Sequence, residues 1–235
     1  PHAGERGPLV RVRCFGGLAI DVAGKPLPLD GLRPRAREVL RLLLLRAPHA
    51  VHREVLFDAL WPHLRLDRAG SSLHVALSAL RHALDDVPGL SIERDGDAYA
   101  LRAGPEAEID LLVFRGATAG GAGMAAPRTA LDLYAGDLFP EEGPAEWIVE
   151  AREQLRERAA HAALFLAEQL LDDDPRAAAA ACERGLELDR HLDDLWRLLA
   201  DAYVTAGLPA AAARAARRYD DVLADLGVEL PISTR

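Results

Sequence analysis

The spacing of apolar residues changes three times along this chain, and that succession limits the fold more than any single motif does. Residues 9–31, "LVRVRCFGGLAIDVAGKPLPLDG", alternate apolar and polar over short runs broken at Gly16-Gly17 and Gly24. They predict two or three short strands joined by tight turns. The period then becomes helical. "RPRAREVLRLLLLRAP" (33–48) predicts a helix with Val39, Leu40, Leu43 and Leu44 on its apolar side, Pro34 in its first turn and Pro48 beyond its end. "HREVLFDALWPH" (52–63) predicts a shorter helix with Val55, Leu56, Ala59 and Leu60 inward and Pro62 as its stop. Trp61 reads as a packing anchor. A third helix spans 67–85, capped by Asp67 or a nearby serine. Alternation returns in "LSIERDGDAYALRA" (90–103), a hairpin turning at "RDGD".

The third helix has two faces. Leu73, Leu77, Leu80 and Leu84 recur at helical spacing and form a core stripe. Ser71, His74, Ser78 and Arg81 fall off that stripe on a side free of acid until Asp85. A polar helix face is often simply solvated. Here its place in the order gives it a further meaning. Strands, three helices and a hairpin, in that order, make a winged helix-turn-helix whose third helix is the recognition helix and whose hairpin is the wing. The major groove admits one α-helix, and an arginine reads guanine there. Arg81 is the expected guanine reader. Arg68, Ser71, Ser72, His74 and Ser78 are expected to meet base edges or phosphates. Arg94 on the wing, and Arg33, Arg35 and Arg37 at the front of the first helix, are expected phosphate contacts.

Charge agrees in its distribution rather than its total. The 235 residues carry a net charge of −9, which by itself disfavours nucleic acid. Residues 9–103, however, hold 14 basic against 11 acidic side chains and five histidines, whereas 104–235 hold 13 against 25. Such asymmetry suits a nucleic-acid-binding half joined to one that does not bind. Residues 1–8 read as a linker or cut end of a longer protein. No apolar run approaches the twenty residues of a membrane span, and no membrane role is expected. Cys14 and Cys182 lack CxxC partners, which fits a reducing cytoplasmic setting.

The second half is helical in period. "GATAGGAGMAAP" (116–127) reads as a flexible loop and lacks the Gly-Lys-Ser/Thr of a phosphate loop. Helices are expected over 145–171, 176–188, 191–206 and 209–226. Trp196, Leu199, Tyr203 and Gly207 fall at tetratricopeptide spacing, and Ala178 and Ala212 lie 34 residues apart where two helices pack closely. No HExxH, GxSxG or paired Cys and His appears, so no enzyme, cofactor or metal is expected. "DDDP" (172–175) reads as a capping turn. The expected fold is mostly α with short β-hairpins: a winged helix-turn-helix domain (9–103), then an all-α, tetratricopeptide-like domain (104–235).

The segments "VHREVLFDALWP" and "SSLHVALSALRHAL" resemble the DNA-binding half of the SARP family of bacterial transcriptional activators. "EIDLLVF", "ALDLYAGDLFPE", "EWIVEAREQLRERAAHAALFLAEQLL" and "AACERGLELDRHLDDLWRLLADAYVTAGL" are similar to its bacterial transcriptional activator domain. The resemblance runs from Leu9 through nearly the whole chain. It implies an OmpR-like winged helix, double-stranded promoter DNA with direct repeats as the ligand, tandem or homodimeric binding, and contact with RNA polymerase holoenzyme. One departure is a third helix poorer in arginine than the family's. The alternative is a helical protein-interaction module that does not itself bind DNA.

Overall fold

The structure, a computed structural model, describes residues 9–119 and 125–227. Among these are seven strands and nine α-helices, which fall into two compact units. The first comprises the described residues up to Gly116 together with Ala135–Glu150. The second comprises Ala117–Tyr134 and the described residues from Ala151.

The first unit opens with strands β1 (Val10–Arg13), β2 (Ala19–Val22) and β3 (Lys25–Pro26). They pair antiparallel, with Val12 opposite Ile20. Val10, Val12 and Ile20 are buried while Arg11 and Arg13 face water, the alternation expected of a half-covered sheet. Helix α1 (Pro34–Arg46) follows. Burial there exceeds the expected stripe. Every residue from Val39 to Leu45 is buried, so α1 is packed on several sides. A short strand β4 (Val51–His52) leads into α2 (Arg53–Leu60), and α3 spans Leu66–Leu84. β5 (Leu90–Asp95) and β6 (Ala98–Ala103) form the hairpin, with Ile92 opposite Leu101 and β4 on the far edge of β6. Gly96, at φ 56°, supplies the left-handed residue of the two-residue turn.

Several local expectations are corrected. Val55 points outward, and Leu56, Phe57 and Leu60 form the inner face of α2, because the inward arc is centred on Leu56 and Leu60. The N-cap of α3 is Arg65, with no side-chain cap; Asp67 already lies within the first turn. The 104 boundary also shifts. Residues beyond Ala103 complete the first unit: β7 (Ala107–Ile109) adds a parallel strand to β1, with Val12 opposite Ile109. Helix α4 (Asp110–Ala117) then seats Phe114 against Phe15, ring centroids 5.0 Å apart. Arg115 donates to the carbonyls of Leu45 and Ala47 at 2.7 and 3.3 Å, satisfying acceptors at the end of α1. The segment after Ala135 returns to the same sheet. Phe15 and Leu138 form a bridge, and the Phe139 N–H donates to the Cys14 carbonyl at 3.0 Å. The 3-10 turn Pro140–Glu142 brings Glu142 into an ion pair with Arg41, both largely buried.

The second unit contains α5 (Ala126–Leu133), most of α6 (Glu146–Leu170), α7 (Pro175–Leu188), α8 (Asp193–Thr205) and α9 (Pro209–Asp225). Helix α5 begins in the last two residues of the expected loop and continues into the stretch of helical period. Of the expected loop 116–127, Gly116 and Ala117 end α4, Ala126 and Pro127 begin α5, and residues 120–124 lie outside the described set. Helix α8 packs against both α7 and α9, its neighbours in sequence, through short connecting turns, as in tetratricopeptide repeats. Asp174 caps α7, its carboxylate accepting the Ala177 N–H at 3.0 Å. Gly207, at φ 73°, ends α8. Trp196 is buried and its indole N–H donates to the Arg190 carbonyl at 2.8 Å. Of the two alanines 34 residues apart, Ala178 is fully buried and Ala212 only half-buried. The tightest approach is at Gly185. A Cβ there would stand 2.6 Å from Leu195 Cδ1 and 2.9 Å from Ala163 Cβ, so α6, α7 and α8 meet where a side chain is missing.

Candidate nucleic-acid interface

Helix α3 is anchored by Leu73, Leu77, Leu80 and Leu84, each no more than 5% exposed. At about 100° per residue, that stripe turns Ser71, Val75, Ser78 and His82 outward. From Arg68 to Leu84 the helix carries no acidic residue. The exposed face forms one wall of a groove of about 1010 Å³, whose other wall is the start of α1 at Arg33, Pro34 and Arg35. Trp61, itself buried as a packing anchor, contributes to the lining. Of the expected contacts, Arg33, Arg35, Ser71, Ser72, His74 and Ser78 all border this single groove.

The remaining arginines are placed differently. Arg81 is half-buried, and its Nε donates to the Ile92 carbonyl at 3.2 Å, tying α3 to the hairpin. Position explains this: Arg81 lies about 80° around the helix from Leu73, on the flank of the core stripe rather than opposite it. Arg94 curls over its own turn, donating to the Gly96 carbonyl at 2.8 Å with its guanidinium 5.9 Å from the Tyr99 ring centroid. Arg35 is paired with Glu38, and Arg37 lies 3.8 Å from Asp30. These acids bracket the arginine run in sequence and reduce its local charge. Arg33 and Arg68 are exposed, with no ion pair among the described residues. Ser71 Oγ donates back to the Asp67 carbonyl at 3.0 Å, a local bond that an exposed serine exchanges readily.

Sequence reasoning missed Val75. It is 51% exposed in the middle of the presented face. Its register marks it, since Val75 sits about 160° from Leu73, but an apolar residue on a polar face carries no polar signal. A second group missed is Leu64 and Leu66, at the turn between α2 and α3, exposed by 40% and 69%.

Among the described residues, no group of three or more His, Cys, Asp or Glu is arranged to hold a metal ion, and no helix is long and apolar enough to cross a membrane.

A three-helix core with a C-terminal hairpin wing, followed by a set of packed helices, defines a fold of the winged-helix class joined to a helical domain. Comparison with known proteins agrees. Residues 31–94 match the family described as "Transcriptional regulatory protein, C terminal", and residues 113–235 match the "Bacterial transcriptional activator domain". The chain belongs to the SARP family of bacterial transcription regulators, which join an OmpR-like winged helix to a bacterial transcriptional activator domain. No curated protein sequence matches it. Among solved structures it is similar to Mycobacterium tuberculosis EmbR in complex with a low affinity phosphopeptide, with a TM-score of 0.65 and 24% identity. That match covers 97% of this chain and 63% of the EmbR chain, so the present chain spans less than two thirds of that neighbour.

Proposed function

We propose that this chain activates transcription by placing α3 in the major groove of promoter direct repeats while an exposed surface of the same unit engages RNA polymerase holoenzyme. The observation that carries the reading is the face of α3. It is acid-free, presents short polar side chains around Val75, and is open in a groove flanked by Arg33 and Arg35. The N-terminus of α1 has no acid in its first turn, which leaves the positive end of the helix dipole favourable to phosphate. Base contacts fall to Ser71, Ser72, His74 and Ser78. Phosphate contacts fall to Arg33, Arg35, Arg37, Arg68 and Arg94, with Arg81 chiefly holding the wing to the helix. The polymerase contact is assigned to Leu64 and Leu66, both exposed apolar residues outside the groove. With little basic charge on α3 itself, non-specific affinity is expected to be low. Tandem or dimeric occupancy of repeats would then raise the affinity.

Selection of bound duplexes from a random pool, followed by footprinting and titration with salt, tests this. The expected result is enrichment of a repeated element with affinity falling steeply as salt rises. Failure to enrich any sequence, with no salt dependence, would instead favour a protein-interaction module.

A further inference from the structure

Val75 is a β-branched hydrocarbon displayed where the proposed function places base edges, and its surroundings narrow what it can touch. Ser71 and Ser78 lie one turn to either side of it, and Ala79 and Ser72 flank it on the same groove. These side chains are short, so the backbone of α3 can approach the groove floor closely there. Val75 is then the largest apolar projection at the centre of the face, 51% exposed, with Arg81 withdrawn to the Ile92 carbonyl. An apolar side chain pressed on a base donor or acceptor would strip it of water and return nothing. In the major groove the apolar partner is the C5-methyl group of thymine.

We infer that Val75 reads a thymine, seating its side-chain methyl groups against that C5-methyl, and so sets the sequence preference at one position in each repeat. The inference rests on the proposed major-groove placement of α3. It goes further by naming the base, the atom and the residue.

The test uses the full chain and its selected duplex. Each thymidine is replaced singly by deoxyuridine, which removes the methyl group and leaves every Watson–Crick and major-groove polar atom in place. The expected result is one position per repeat at which deoxyuridine weakens binding roughly fourfold, the worth of one buried methyl. Val75→Ala, with its circular dichroism and melting unchanged, should bind the thymidine duplex more weakly and lose most of that sensitivity. Val75→Thr, which retains one γ-methyl, should keep part of it. If binding is specific but no position responds to deoxyuridine, or if Val75→Ala responds as strongly as the parent, the thymine contact is wrong while the major-groove reading stands. If no duplex is selected at all, both fall together.

Discussion

The Asp110 carboxylate accepts the backbone N–H of Cys14 at 2.9 and 2.8 Å from its two oxygens, across 96 residues of sequence. It also accepts from Phe15 at 3.2 Å and from Leu111 at 2.6 Å. One buried acid therefore caps α4 and closes the end of β1, joining the start of the chain to a residue seven positions beyond the wing. Replacing it with alanine leaves at least two buried N–H groups without a partner. Asp110→Ala should lower stability by about 2–4 kcal/mol in denaturant titration. A loss under about 1 kcal/mol would mean that water or a backbone shift replaces the carboxylate.

Burial pushes the Asp110 carboxyl above its ordinary value of 3.8, outweighing the N–H donors that pull it down. The sign follows from linkage. The folded state holds this proton more tightly than the unfolded state, so its contribution to stability is fully present below about pH 3.8 and declines as pH rises through the elevated folded value. Asp110→Asn cannot titrate. The stability difference between parent and Asp110→Asn should therefore move in favour of the asparagine variant as pH rises across that window. A pH-independent difference in thermal melts would refute the shift.

Cys14 and Cys182 are both buried free thiols. Burial, reinforced by Asp110, holds Cys14 well above its usual range, and burial pushes Cys182 up to about 12. Thiolate, not thiol, is the reactive form. Neither should react with an aromatic disulfide reagent in the native protein at pH 8, and both should react at once in denaturant. Rapid native labelling of either would show that its helix or strand opens locally.

Leu77 is 2% exposed in the middle of the α3 stripe. Leu77→Ala should cost about 2–5 kcal/mol of stability. Ser78→Ala, one residue on, should leave the melting temperature alone and weaken specific DNA binding by roughly 1 kcal/mol or somewhat more. Arg81→Ala should behave differently from both. By freeing the Ile92 carbonyl it should lower stability and DNA affinity together, and amide exchange should rise in the β5–β6 hairpin. An Arg81→Ala protein that melts like the parent but loses one base preference would restore Arg81 as a direct reader.

Leu64 and Leu66 are exposed and lie outside the α1–α3 groove. Replacing both with serine should leave duplex affinity within about twofold of the parent, since exposed sites away from special features change free energies little. Transcription from the selected promoter in a reconstituted polymerase assay should fall severalfold. Unchanged transcription would move the polymerase contact elsewhere.

Removing everything after Ala103 should destabilise the winged helix. The cut deletes β7, Asp110 and the Phe114 ring, and it exposes one edge of β1. A 9–103 fragment should show far lower protection of the β1 amides in hydrogen exchange than the full chain. Equal protection would make the returning segments dispensable.

Periodicity and punctuation were enough to locate α1, α2, α3, the hairpin and α6 to α9, because each depends on neighbours in sequence. The leucine spacing fixes which side of α3 is buried, Pro34 and Pro62 bracket the first two helices, and Asp95-Gly96 places the turn. The same local logic made the outer face of α3 legible as a candidate interface. What it could not supply was any relationship carried by distant partners. A three-residue strand such as β7 has no periodicity to detect, and it exists because β1 offers unpaired backbone groups 97 residues earlier. The role of Asp110 is invisible until Cys14 is beside it, and the commitment of Arg81 until Ile92 is. The burial of Arg41 follows from Glu142, reached through a turn that the sequence places in the other half of the chain. Sequence thus determined where the longer helices and the hairpin form and which side of α3 is buried, since those depend on spacing along a single helix or strand. Tertiary structure decided which polar groups remain free to act, since a hydrogen bond or ion pair is satisfied by whatever the fold brings within about 3–4 Å.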